Sequence, residues 1–185
     1  MKKIILSFIL TSFNAQAITY SIGTHVPFFN QVQTSTSGGS QVFAINPYLG
    51  IGTQFHLAGG NYFMPELGYS YYTDTGSNYN RDTIFLHYNF AYVITNKFIA
   101  RYGITSHTYR LIGGGGSQTL SNGNGSTRFP SPNKTVSSSF TTLNAGMEYF
   151  LSSKNYSVRF DFNIMNTNDL DNRAYNYLLT VNIYR

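Results

Sequence analysis

Cysteine and tryptophan are both absent from the 185 residues. Without cysteine there is no disulfide framework, no thiol chemistry and no thiolate metal site. Charged residues make up only 10% of the chain, with 12 Lys and Arg against 7 Asp and Glu. No basic run occurs, so the chain carries no nucleic-acid footprint. No apolar stretch approaches the roughly 20 residues that a membrane-spanning helix requires. Without tryptophan, any aromatic girdle at a lipid–water boundary has to be built from tyrosine.

Beyond these absences, aromatic residues are plentiful, at 17%. The chain opens with Lys2-Lys3, continues through the short apolar run IILSFILTSF, and reaches Ala15-Gln16-Ala17. A positive start, a short apolar core and an A-x-A site read as an export signal. Residues 1–17 are therefore expected to be removed, leaving 18–185 as one domain. Removal of Lys2 and Lys3 leaves 12 − 2 = 10 basic residues against 7 acidic ones.

The organising stretch is 143–164, LNAGMEYFLSSKNYSVRFDFNI. Leu143, Ala145, Met147, Tyr149 and Leu151 alternate with Asn144, Gly146, Glu148 and Phe150. After a short polar turn, Tyr156, Val158, Phe160, Phe162 and Ile164 alternate with Ser157, Arg159, Asp161 and Asn163. Period-2 alternation on both sides of a turn predicts a β-hairpin. Its second face carries Glu148, Arg159 and Asp161 in mid-strand. A closed barrel with an apolar outside and a polar lumen accounts for that pattern.

Alternation of the same kind occurs at 18–26, 41–57, 62–73, 83–94, 98–111 and 174–185, which with the hairpin makes eight segments. Pro47 cannot donate to a ladder and predicts a bulge or a strand entry. The connections alternate long and short. Those at 28–40, 74–82, 112–137 and 166–173 are long, whereas 58–61, 95–97 and 152–155 are tight. Residues 112–137, with four consecutive glycines and two prolines, show no strand or helix periodicity and read as a mobile loop. The pattern predicts an all-β, eight-stranded antiparallel up-and-down transmembrane barrel, with short periplasmic turns and long extracellular loops. Tyr20, Tyr69, Tyr71, Tyr88, Tyr92, Tyr149, Tyr156, Tyr175 and Tyr177 are candidates for its girdles.

With PELGYSYY at 65–72 and NAGMEYFLSSKNYSVRFDF at 144–162, the mature chain resembles the small OmpA-type outer-membrane barrels, including OmpX- and OmpW-like proteins. The resemblance implies residence in the outer membrane of a Gram-negative bacterium, in contact with its lipid and lipopolysaccharide. It also implies insertion by machinery that reads the last strand. Two departures stand out. No peptidoglycan-binding domain is expected after the barrel, and the last residue here is Arg185 where the family usually ends in an aromatic. Recognition through Tyr184 and tolerance of the Arg are both open.

Around the turn Glu148 faces Arg159, and Arg101 lies near the height of Glu148 on the neighbouring strand. A lumen cluster of Glu66, Arg101, Glu148, Arg159 and Asp161 follows, either a structural plug or an ion gate. Eight strands leave a lumen just wide enough for side chains to fill, which favours the plug. His25, His56, His87 and His107 all fall on the lumen parity, yet no metal-ligand spacing links them, and no metal or cofactor is expected. Thr24, Ser106 and Thr108 lie near His25 and His107, and Asp74 and Asp82 are rim acids, but no nucleophile–base–acid set assembles. The expected protein is a monomeric, non-enzymatic envelope component whose Ser/Thr/Asn/Gly-rich loops contact other molecules. A narrow pore is the main rival and a barrel enzyme the next.

The intact mass of protein extracted from outer membranes should correspond to a chain beginning at Ile18. A mass that includes residues 1–17 would contradict the cleaved signal.

Overall fold

The computed structural model describes residues 15–27, 45–72, 79–121, 125–130, 133–152, 155–168 and 173–185. The expected export signal up to residue 14, the connection at 28–40, the start of the second segment at 41–44, and Asp74 lie outside them.

Ten strands are present: β1 (Ala15–Val26), β2 (Asn46–His56), β3 (Asn61–Tyr71), β4 (Tyr79–Thr95), β5 (Phe98–Gly113), β6 (Ser117–Ser121), β7 (Ser126–Pro130), β8 (Thr135–Phe150), β9 (Tyr156–Met165) and β10 (Ala174–Tyr184). Eight of them close an antiparallel barrel in the order β1-β10-β9-β8-β5-β4-β3-β2. Closure is made by β1 against β10, from Thr19↔Tyr184 to Val26↔Tyr177. Beside that pair Ile18 and Arg185 exchange backbone hydrogen bonds of 2.7 and 2.9 Å. A closed sheet satisfies its own backbone polar groups and has no edge, the condition for strands in a bilayer.

The tight connections behave as their residues dictate. Between β2 and β3, Gly59 and Gly60 take φ of 70° and 77°, a left-handed conformation that side chains with Cβ disfavour. Between β4 and β5, Thr95 Oγ1 accepts from the backbone N–H groups of Lys97 and Phe98 at 3.3 and 3.1 Å, which closes the turn at Asn96-Lys97. Pro47 is the second residue of β2 and pairs with Thr24 without a bulge, so it marks a strand entry.

The long-connection rim departs from the sequence expectation. The segment 112–137 is not structureless: β5 runs to Gly113, β8 starts at Thr135, and β6 pairs with β7 in a separate two-stranded sheet. Gly115 and Gly116, at φ 77° and 86°, turn the chain out of β5 towards β6. Hydropathy alternation could not disclose these strands, because Ser and Thr occupy both faces outside the lipid-facing zone. Strands β4, β5 and β8 also rise beyond the rest. Pairing of β5 with β8 reaches Ile112↔Thr135, whereas β9 joins β8 only from Leu143↔Ile164 onward.

The barrel is apolar outside and polar inside. Leu49, Ile22 and Leu143 are more than half exposed, while Glu148 and Asp161 are completely buried. Among the described residues, outward positions of the eight barrel strands carry two charges, Asp82 and Arg110. Inside, small residues make room for large ones. A Cβ at Gly68 would strike the Tyr48 ring, approaching Cε2 and Cζ to 2.6 Å and the hydroxyl closer still. Tyr48 is 1% exposed and has nowhere to move. Gly68→Ala should therefore lower unfolding stability in micelles by about 1–3 kcal/mol. Gly125→Ala, where a Cβ meets nothing, should leave it unchanged; equal effects of the two on urea unfolding followed by circular dichroism would contradict this packing.

Candidate functional site

Alternation delivers Glu66 from β3, Arg101 from β5, Glu148 from β8, and Arg159 and Asp161 from β9 to one interior level. All five of the residues expected in the lumen cluster meet there, each at most 5% exposed. The Glu148↔Arg159 register is as the turn length required, and Ile99↔Glu148 sets Arg101 beside the same carboxylate.

Glu66 accepts four hydrogen bonds from three residues. Arg159 Nη1 donates to its Oε2 at 2.6 Å and Nη2 to its Oε1 at 2.8 Å, a bidentate pair. Tyr48 donates its hydroxyl to Oε1 at 2.5 Å and Ser21 Oγ donates to Oε2 at 2.8 Å. Glu148 likewise accepts from four groups. Arg101 Nη1 reaches Oε2 at 3.0 Å, Asn182 Nδ2 reaches Oε1 at 3.1 Å, and the hydroxyls of Ser157 and Tyr184 close on Oε1. Asp161 lies between the two cations, 3.0 Å from Arg159 Nε and 3.4 Å from Arg101 Nε. Gly146 stands opposite it in the sheet, where a Cβ would collide with its Oδ1.

A tyrosine hydroxyl has one proton, and Tyr48 has given its own to Glu66. The 3.1 Å contact between Tyr48 Oη and His87 Nε2 is therefore donated by the histidine. His87 Nδ1 must then accept from Thr105 Oγ1, 2.9 Å away. Thr105, His87 and Tyr48 form one directed chain that ends on the Glu66 carboxylate, into which Arg159 donates from the other side. This is how His87 enters the network, a link that alternation alone did not reveal.

Clusters of largely apolar side chains lie on both sides of the charged level. Towards the short turns lie Met64, Ala91, Ile99 and Tyr184, with Tyr62, Val93 and Phe150 packed against them. Towards the long connections lie Tyr48, Phe85 and Leu178. The rings of His25 and His107 meet Phe85 at 5.0 Å, and that of His87 stacks on it at 5.6 Å. His56 sits apart, exposed, beside the ring of Tyr62 at 5.2 Å. Among the described residues no group of three or more His, Asp and Glu could hold a metal ion.

Asp82 differs from its expected place in a loop. It lies within β4 on the outer face, where Arg110 Nε and Nη2 grip it at 2.7 and 2.6 Å and Tyr69 donates its hydroxyl at 3.1 Å. Reading 74–82 as loop hid this pair, because the DTGSNYNRD composition masks a strand that starts at Tyr79.

Burying an ion is costly unless every partner stays in place. Arg159→Met strands the Glu66 carboxylate and should cost about 3–5 kcal/mol. The double variant Glu66→Gln/Arg159→Met should cost less than the sum of its two single changes, because it leaves no unpaired charge. Urea unfolding of all four proteins measures the coupling. Additive costs would contradict the pairing.

No family model matches the chain, and no curated protein matches it significantly. Several solved structures resemble it. Ail, the attachment invasion locus protein of Yersinia pestis, aligns over 91% of this chain and 95% of its own, at 7% identity and a TM-score of 0.52. Neisserial surface protein A aligns over 91% and 94%, at 11% identity and 0.49. The N-terminal β-barrel domain of Pseudomonas aeruginosa OprF aligns over 92% and 98%, at 12% identity and 0.48. With its closed eight-stranded antiparallel sheet and its alignment to Ail over nine-tenths of both chains, this chain has the fold of the small outer-membrane β-barrels.

Proposed function

We propose that this protein is an integral outer-membrane barrel with a plugged lumen, serving the envelope structurally and presenting its long-connection rim for surface contact. One observation carries the membrane half. Large apolar and tyrosine side chains face outward from every barrel strand, whereas all their charges but the Asp82–Arg110 pair at the rim lie inside. An aqueous environment would favour the reverse, and lipid favours this arrangement.

The plug reading rests on lumen width and on the layers above and below the ions. Ion passage needs a continuous polar path, and Tyr48, Phe85 and Leu178 interrupt it on one side, as Met64, Ile99 and Tyr184 do on the other. A non-catalytic role fits the same geometry, since the His87–Tyr48 chain ends on the Glu66 carboxylate, which Arg159 holds inside the barrel. The contact role falls to the rising ends of β4, β5 and β8 and to the β6–β7 sheet, which are rich in Ser and Thr. Export with cleavage after Ala17, and a monomeric state, complete the proposal.

Planar-bilayer recording tests the plug. Refolded mature protein should give no discrete conductance steps, with heat-modifiable gel mobility as the folding control. Reproducible steps altered by Arg159→Ala would establish a pore instead. Removal of 114–134 should leave folding and insertion intact, because the barrel ladder closes without that segment; loss of the folded band would contradict its assignment to surface contact.

A further inference from the structure

A charged pair on the lipid-facing side of a barrel calls for an explanation. Asp82 and Arg110 hold the two outward charges of the described barrel strands, one outward position past Ile84, the last apolar outward residue of β4. They are not equally accessible. The Asp82 side chain is 2% exposed and that of Arg110 is 34% exposed, so the face presented outward is cationic. Asp82 holds two of the five guanidinium N–H groups, through Nε and Nη2. Nη1 makes no hydrogen bond to that carboxylate.

Directly beneath, an apolar groove of about 450 Å³ runs between Leu49, Ile51, Leu67, Tyr69 and Ile84. It continues into a second groove of about 410 Å³ along Ile18, Pro65, Leu86 and Tyr88, and the two share Ile51 and Leu67. Tyr69 joins the parts: its ring lines the groove and its hydroxyl donates to Asp82. An open apolar groove whose Tyr69 also contacts the Asp82–Arg110 pair matches an amphiphile with an acyl chain and an anionic head.

Resting on the membrane reading, we infer that the outer face of β2–β5 is a seat for a phosphate-bearing lipid of the leaflet on the long-connection side. One acyl chain lies in the groove and the phosphate accepts from the free edge of Arg110. Guanidinium and phosphate match in planar, two-point geometry, and an Arg held by a buried acid loses little freedom on binding. Asp82 damps the long-range field of Arg110, so the exposed guanidinium acts mainly at short range. Recognition therefore needs groove and phosphate together, and soluble anions are poor ligands.

The test uses full-length mature protein in phosphatidylcholine nanodiscs containing a minor fraction of bis-phosphorylated lipid A, with retained lipid counted by native mass spectrometry after extraction into mild detergent. Wild type should retain lipid A above its bulk fraction. Arg110→Gln should reduce that enrichment roughly fivefold, the worth of one basic side chain at a lipid surface. Lys97→Gln, at the opposite rim, should not change it. Arg110→Lys keeps the charge without the fork and should retain only part of the enrichment, which separates geometry from charge. Equal retention by wild type and Arg110→Gln, both folded by heat-modifiable mobility, would overturn this seat and leave the membrane reading intact. Protein that stays out of nanodiscs altogether would overturn both.

Discussion

The bidentate pair between Arg159 and Glu66 is the contact on which the interior depends. Glu66 and Arg159 stand on β3 and β9, on opposite parts of the barrel wall, and no backbone hydrogen bond links those strands. In a water-filled pore such a pair would be worth little. Inside an eight-stranded lumen it is desolvated, and its value comes from completeness. Tyr48 and Ser21 fill the remaining acceptor sites of Glu66, while Asp161 engages the guanidinium from its other edge. Removing any one partner exposes the others to an environment that cannot replace it.

That constraint explains the choice of residues around it. Gly50 and Gly68 flank Tyr48 and Glu66, and Gly146 faces Asp161, because bulkier side chains would occupy space the polar groups need. Phe85 and Leu178 lie on one side of the ions and Met64 and Ile99 on the other, and on the proposed plug reading they limit the water that could compete for the charges. Outside, the logic reverses. Apolar side chains meet lipid, and the Asp82–Arg110 pair is confined to the margin of the belt, where Arg110 can reach a polar boundary.

Most of the architecture was legible because strand periodicity and lumen parity are properties of local sequence. Glu148 opposite Arg159 followed from the turn length, and placing Arg101 and Glu66 on the lumen face was enough to bring them to the same cluster. What could not be read was how side chains cross the lumen. Tyr48 and Glu66 are separated by 18 positions and Arg159 and Glu66 by 93, and these contacts depend on barrel closure and tilt. Leu178 lies on the lumen parity with no polar label to draw attention, although it belongs to the cluster with Tyr48 and Phe85. The strands at the long-connection rim were hidden for another reason. The start of β8 is exposed on both faces, and Ser and Thr recur through β6 and β7, so hydropathy does not alternate there.

The central claim is that water does not reach the charged layer of the folded barrel, and the absence of cysteine makes a direct measurement possible. Ser157 is fully buried beside Glu148, which keeps three other donors if the serine hydroxyl is lost. Ser157→Cys, reconstituted in lipid vesicles, would be treated with a charged, water-soluble thiol reagent on both sides. The thiol should remain unmodified in the folded protein and react fully after unfolding in urea. Rapid modification of the folded protein would mean a hydrated lumen, and the plug would give way to a pore.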